Sequence, residues 1–72
     1  MSLQNVLIIG GGVGGTTILK LLLSTGYFHV QRVIDIDEDA PAIQIAKELN
    51  IPVSEDWKPY LTNDLHIIFD LT

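Results

Sequence analysis

Short apolar runs and amphipathic segments alternate along the 72 residues of this chain. An apolar run at residues 6–9 predicts a buried strand, and residues 13–24 carry apolar side chains at helical spacing. Residues 31–36 predict a second strand, which a second helix follows. The later predictions are a brief third strand at 51–53, a helical turn within 54–61, and a fourth strand at 65–71.

The two predicted helices differ in the signals that define them. The apolar residues expected to face the core from the first helix are Val13, Ile18, Leu21 and Leu22. Gly26 is expected to end this helix in a left-handed conformation. Asp39 is expected to cap the second helix, with Pro41 in its first turn, where the missing N–H has no helical acceptor to lose.

A glycine-rich segment at residues 10–15 joins the first strand to the first helix. The pattern G-x-G-x-x-G fits it in one frame, on Gly10, Gly12 and Gly15. Gly10 is expected to allow the tight turn, Gly12 to let the backbone approach a phosphate, and Gly15 to let the helix lie against the strand. The free N–H groups of the turn, including those of Val13 and Gly14, are then expected to bind a pyrophosphate together with the positive end of the helix.

An acidic turn follows the second predicted strand. Asp35 lies twenty residues beyond Gly15, where an acid that accepts a hydrogen bond from the ribose 2′-hydroxyl is expected, and Asp37 is the second candidate for that role. Asp37, Glu38 and Asp39 add negative potential where a 2′-phosphate would lie, and no arginine follows Asp35 to offset it. The sequence therefore favours NAD(H) over NADP(H).

Other ligands of glycine-rich turns fit this sequence less well. A triphosphate-hydrolysing P-loop needs a lysine at residue 16, where this chain has Thr16. FAD stays open because it also contains a pyrophosphate. S-adenosylmethionine stays open as well, although it has no phosphate and leaves the three-glycine spacing unexplained. His29 and His66 are too isolated to predict a metal site, and we expect them at the surface or at strand ends.

The order of strands and helices, together with the glycine turn, predicts an α/β fold of the Rossmann type. We expect a doubly wound parallel sheet of about four strands in the order 3-2-1-4. The apolar run from Leu65 to Leu71 is expected to be an interior strand covered on both faces. Complete dinucleotide-binding folds have two more strands, so residues 1–72 are expected to be the dinucleotide-binding front part of a longer protein. A downstream domain or a second chain would then cover the edge of that strand.

Composition narrows the function further. The net charge is −5, with nine acidic and four basic residues, so no basic patch predicts direct nucleic-acid binding. The chain has no cysteine, which excludes disulfides, thiolate catalysis and cysteine metal sites. Its start lacks the basic region of a signal peptide and its apolar runs are too short to cross a bilayer, which predicts a cytoplasmic protein. We recognise no catalytic residues, so whether the chain is part of an enzyme stays open.

Several segments together resemble the N-terminal NAD(P)-binding-type Rossmann segment that precedes PAS, histidine-kinase or enhancer-binding activator modules in bacterial signalling proteins. These segments are residues 6–15, 32–37, 39–42, 46–52 and 65–72. The most specific are the acidic turn before Ala40-Pro41 and the entry to the third strand, Leu49-Asn50-Ile51-Pro52. The resemblance implies a sensory role in which a nucleotide or redox state biases a downstream output. The same segments are more loosely similar to the front of homoserine- and aspartate-dehydrogenase-like oxidoreductases.

Two hypotheses of different classes follow. In the first, the chain is a regulatory module that binds NAD(H) at Gly10, Gly12, Gly15 and Asp35 and reports its occupancy to an attached domain. In the second, it is the cofactor-binding half of an NAD-dependent dehydrogenase whose catalytic domain lies beyond Thr72. A fold that keeps the glycine turn for structural reasons and binds nothing is a third possibility.

Overall fold

The computed structural model describes residues 3–72. Its elements are, in order, β1 (Gln4–Ile9), α1 (Val13–Thr25), β2 (Phe28–Ile34), α2 (Pro41–Glu48), β3 (Val53–Ser54), a 3₁₀ helix (Lys58–Tyr60) and β4 (Ile67–Asp70). The four strands form one parallel sheet in the order β3-β2-β1-β4. The predicted α/β class and strand order are confirmed. No helix within these residues is long and apolar enough to span a bilayer.

The second strand lies earlier in the chain than predicted. Phe28 and His29, expected to form a connection, pair with β1. The strand ends at Ile34 because the next residues form a turn instead of continuing the ladder. In that turn the Asp37 amide donates a hydrogen bond of 2.9 Å to the Asp35 side chain. Asp35 is therefore the first residue beyond the strand, and its side chain lies at the carboxyl edge of the sheet.

Both helices pack on one face of the sheet, where the main core forms. The predicted core face of α1 is partly wrong, because Val13 is 82% exposed and Leu21 is 57% exposed. The buried residues of this helix are Gly15, Leu19 and Leu22. They follow the spacing i, i+4, i+7, so the side that approaches the sheet is the one that contains the third motif glycine.

The opposite face of the sheet is thinly covered. The connection from β3 to β4 crosses it with only the short 3₁₀ helix, in whose first turn Pro59 lies. Ile68 and Leu71 are 46% and 41% exposed. The expectation that the fourth strand is covered on both faces is therefore wrong for residues 3–72. This face has a small apolar cluster made of Leu7, Ile9 and Ile34, with Tyr60 and Leu65 against it.

Pro41 lies in the first turn of the second helix, as predicted, but the helix starts at Pro41 and its N-cap residue is Ala40, not Asp39. No side chain among the described residues caps it. Instead the Ala42 amide donates to the Gly11 carbonyl oxygen at 2.8 Å. The glycine turn thus provides the acceptor that a capping side chain usually provides.

Candidate functional site

The glycine turn lies at the carboxyl end of β1, in the middle of the sheet. Gly10 has φ of 110°, a conformation that side-chain-bearing residues rarely adopt. Its amide donates to the Ile34 carbonyl oxygen at 2.7 Å. A Cβ atom on Gly15 would lie 1.8 Å from the Gly10 carbonyl oxygen, so the helix and the turn are in direct backbone contact. The roles assigned to these two glycines from the sequence agree with this geometry.

Gly12, by contrast, has no packing reason to be glycine. A Cβ atom placed there would meet no atom of the described residues within 4 Å. Gly12 is the N-cap of α1 and, like Val13 and Gly14, is exposed; no side chain of the described chain caps the helix. The first intrahelical bond runs from the Thr16 amide to the Gly12 carbonyl oxygen at 2.9 Å. The earlier N–H groups of the helix therefore border open space of the kind that anions occupy.

Asp35 is held beside this turn by two backbone amides. Its Oδ2 accepts from the Gly11 amide at 2.6 Å, and its Oδ1 accepts from the Asp37 amide at 2.9 Å. These hydrogen bonds, the one from Asp37 first, outweigh desolvation and lower the pKa of Asp35 below its ordinary value. The carboxylate is ionised at neutral pH, and each oxygen has further lone-pair capacity for a hydroxyl donor.

Asp37, the other acid expected to bind ribose, has a different setting. It is exposed, and its Oδ1 accepts from the Asp39 amide at 2.9 Å. Its own amide donates to Asp35. Of the two acids, Asp35 is the one whose carboxylate contacts the glycine turn, while Asp37 shapes the loop that follows.

A cavity of about 750 Å³ opens at the same edge of the sheet, with Gly10 and Asp35 in its wall. This volume is typical of small-molecule sites. Its apolar wall is formed by Ile9, Ile34, Ile36, Trp57, Leu61 and Ile68. The charged residues of its wall are Asp35, Glu55, Asp56, Asp70 and Lys58. Negative charge therefore dominates the lining.

The residues that the β3–β4 connection adds to the cavity, among them Trp57 and Lys58, could not be assigned to the site from the sequence. They reach the site only because the connection folds back across the sheet, and no motif in the sequence signals that path. Asp70 ends β4 in the same wall. Its Oδ1 accepts the Thr72 hydroxyl at 2.6 Å and the Thr72 amide at 3.2 Å, and these bonds lower the pKa of Asp70.

Gly11 is a further residue of the site that could not be assigned from the sequence. A Cβ atom there would lie 3.0 Å from the Ala40 Cβ and 3.2 Å from both Cβ and Oδ2 of Asp35. The residue is buried. The motif leaves this position free, so the only sequence signal was the run of three consecutive glycines.

The two histidines lie away from this cavity, beside Asn5 in β1. His66 Nδ1 accepts from the Asn5 amide at 2.8 Å, and His29 Nδ1 is 3.2 Å from the Asn5 Oδ1. Within residues 3–72, no three His, Cys, Asp or Glu side chains are arranged to hold a metal ion. Both histidines therefore take part in contacts between neighbouring strands.

Comparisons with protein-family models, with curated protein sequences and with solved structures found no match to this chain. The resemblance to signalling proteins and dehydrogenases consequently rests on sequence pattern alone. Fold by itself does not define function, so the function has to be argued from the residues at the carboxyl edge of the sheet.

Proposed function

We propose that this chain is an NAD(H)-binding regulatory module that reports cofactor occupancy to a signalling output. The observation that carries the proposal is the proximity of two features at one edge of the sheet. One is the open, uncapped start of α1 at Gly12, and the other is the ionised, amide-anchored Asp35. The first suits a pyrophosphate and the second suits ribose hydroxyls, and a dinucleotide contains both groups.

The charge of the site favours NAD(H) over NADP(H). An ionised carboxylate accepts hydrogen bonds and donates none, which matches ribose hydroxyls and opposes the acceptor oxygens of a 2′-phosphate. The residues of the cavity wall include four acids, Asp35, Glu55, Asp56 and Asp70, and one base, Lys58. FAD meets the same pyrophosphate requirement, whereas S-adenosylmethionine has no phosphate for the open space at Gly12.

An output needs a surface that responds to the ligand. Within residues 3–72, β4 pairs with β1 on one side only, and both Ile68 within the strand and Leu71 directly after it are partly exposed. We propose that a downstream domain or a second chain covers this edge and that cofactor binding shifts the population of the docked state. We propose that this module is cytoplasmic. The chain has no cysteine and so forms no disulfide that would require an oxidising compartment.

Calorimetric titration of the chain with NAD⁺, NADH, NADP⁺, FAD, S-adenosylmethionine and ATP tests the ligand. We expect weak binding of NAD⁺ and NADH, and binding of NADP⁺ weaker by about tenfold or more. Gly12→Val should abolish binding while circular dichroism stays unchanged, because the side chain fills space that is open in the fold. Binding of S-adenosylmethionine alone, absence of any binding, or normal binding by Gly12→Val would contradict the proposal.

A further inference from the structure

Gly11 connects three parts of the site. Its amide donates to Asp35 Oδ2 at 2.6 Å, and its carbonyl oxygen accepts from the Ala42 amide at 2.8 Å. The space that its missing side chain leaves is bordered by Ala40 and by Asp35. The turn after β1, the end of β2 and the start of α2 therefore meet at this residue.

We propose that Gly11 is a positioning residue for ligand specificity, whose amide orients the Asp35 carboxylate to select a nucleotide with a free ribose 2′-hydroxyl. This inference rests on the proposed function. Asp35 has two oxygens, and each accepts an amide from a different segment, Gly11 on one side and Asp37 on the other. Two such hydrogen bonds fix the carboxylate in one orientation. With the hydrogen bond from Asp37 alone, the carboxylate could rotate about that contact.

The same geometry makes a side chain at this position a tight fit. A methyl group at residue 11 would lie 3.2 Å from Asp35 Oδ2, tighter than an ordinary contact, so the carboxylate must move away from the amide that holds it. The hydrogen bond and the missing Cβ thus act together. Gly12, one residue later, has neither constraint, because its Cβ position is open.

ADP and 2′-deoxy-ADP are the probes that separate the two parts of the site. They carry the same diphosphate for the glycine turn and differ only in the hydroxyl that Asp35 is proposed to accept. Because a hydrogen bond to a charged group is involved, wild type should prefer ADP by on the order of tenfold or more. The ratio of the two dissociation constants therefore reports on the Asp35 carboxylate alone.

The decisive variant is the pair Gly11→Ala with Ala40→Gly. The second change removes the methyl group 3.0 Å from the new Cβ, and the contact with Asp35 at 3.2 Å stays. If Gly11 served only the packing of α2, this pair would regain the stability that Gly11→Ala alone loses. It would also show the wild-type preference for ADP. With a positioning role, the pair is more stable than Gly11→Ala alone because the contact with residue 40 is relieved, yet the preference for ADP is largely lost, as it is in Asp35→Asn.

Gly12→Ala is the matched control, since it makes the same chemical change at the neighbouring glycine. It should weaken the binding of ADP and of 2′-deoxy-ADP equally, so that the ratio of their dissociation constants stays at the wild-type value. A pair variant that keeps the wild-type ratio while Asp35→Asn loses it overturns the role of Gly11 and leaves the proposed function standing. Wild type that binds neither probe, or binds both equally, overturns the proposed function and this inference with it.

Amide NMR of the wild-type chain provides a measurement that needs no variant. The Gly11 amide resonance should shift as Asp35 is protonated at acid pH, and shift again on addition of ADP but far less with 2′-deoxy-ADP. A Gly11 amide that responds to neither acid nor ADP would overturn the proposal even if the alanine variants fail to fold.

Discussion

Neighbouring glycines of the turn have different surroundings. The Cβ position of Gly15 is filled by the Gly10 carbonyl oxygen, whereas that of Gly14 has Leu71 Cδ1 at 4.0 Å as its nearest neighbour. Gly14 is exposed in the first turn of α1, and Gly15 is buried. Identical residues in consecutive positions thus serve packing in one case and leave the helix start open in the other.

Gly15→Ala and Gly14→Ala should therefore have opposite effects on stability. Alanine at Gly15 would place an atom 1.8 Å from a backbone oxygen, and relieving that overlap should cost about 3 kcal/mol or more. Alanine at Gly14 should be neutral or stabilise the helix by up to about 1 kcal/mol. Urea unfolding followed by circular dichroism measures both. A Gly15→Ala variant with the wild-type midpoint would show that α1 and the turn are not in contact.

The anchored carboxylate of Asp35 predicts a pH dependence of stability. Its pKa is lowered in the folded chain by the amides of Asp37 and Gly11, so its contribution is complete above the pKa of the unfolded state, near 4, and is lost as the pH falls through the folded value. Asp35→Asn should be less stable than wild type at neutral pH, and the difference should shrink on acidification.

Asp64 and Asp70 also have a lowered pKa, mainly because they accept hydrogen bonds from the hydroxyls of Thr62 and Thr72. The Asp35→Asn variant should consequently keep part of the acid dependence. Urea midpoints at a series of pH values from about 6 to about 3 give the comparison. If the difference in urea midpoint between wild type and Asp35→Asn does not change with pH, the stabilisation by Asp35 does not have an electrostatic origin.

The elements of the fold show which features local sequence can specify. The first helix and its end were predicted because the apolar spacing and Gly26, with φ of 75°, are local signals. Its buried face was not, since apolar residues occur on several sides and the contact between Gly15 and Gly10 decides the orientation. The cap of α2 was missed for a similar reason, because its acceptor is the carbonyl oxygen of Gly11, far away in sequence.

The candidate site also combines residues that local sequence patterns indicate with residues that only tertiary contacts bring there. Gly10, Gly12, Gly15 and Asp35 could be assigned because the glycine spacing and the strand that precedes the acid are short-range patterns. The wall provided by the β3–β4 connection could not, since its path depends on tertiary contacts. There the Arg32 guanidinium carbon lies 4.0 Å from the centre of the Tyr60 ring and holds the connection on the sheet.

The two faces of the sheet differ in how well they are covered. Two helices cover one face of its sheet, and a short connection covers the other, where apolar side chains stay partly exposed. A chain of 72 residues buries only about 60% of the surface of its unfolded state, so its stability margin is small. The candidate cavity lies at the sheet edge where β1, β2 and β4 end, and residues of these strands and of the β3–β4 connection form its wall.

Ligand binding at such an edge should stabilise the molecule, because a ligand that binds only the folded chain shifts the folding equilibrium towards it. At a NAD⁺ concentration about a hundred times its dissociation constant, the unfolding free energy should rise by about 2.7 kcal/mol. For a domain of this size that corresponds to an increase in Tm of roughly 10 °C or more. Differential scanning calorimetry with NAD⁺, and with NADP⁺ at the same concentration, measures the effect.

The shift in Tm should grow with the logarithm of the NAD⁺ concentration once the site is saturated, because linkage has no plateau while the ligand prefers the folded state. NADP⁺ should raise Tm less, and Asp35→Asn should reduce the gap between the two cofactors by removing the charge that opposes the 2′-phosphate. Equal shifts with both cofactors in wild type would mean that the acidic wall does not discriminate between them. A Tm that is independent of NAD⁺ concentration would mean that the glycine turn serves the fold alone.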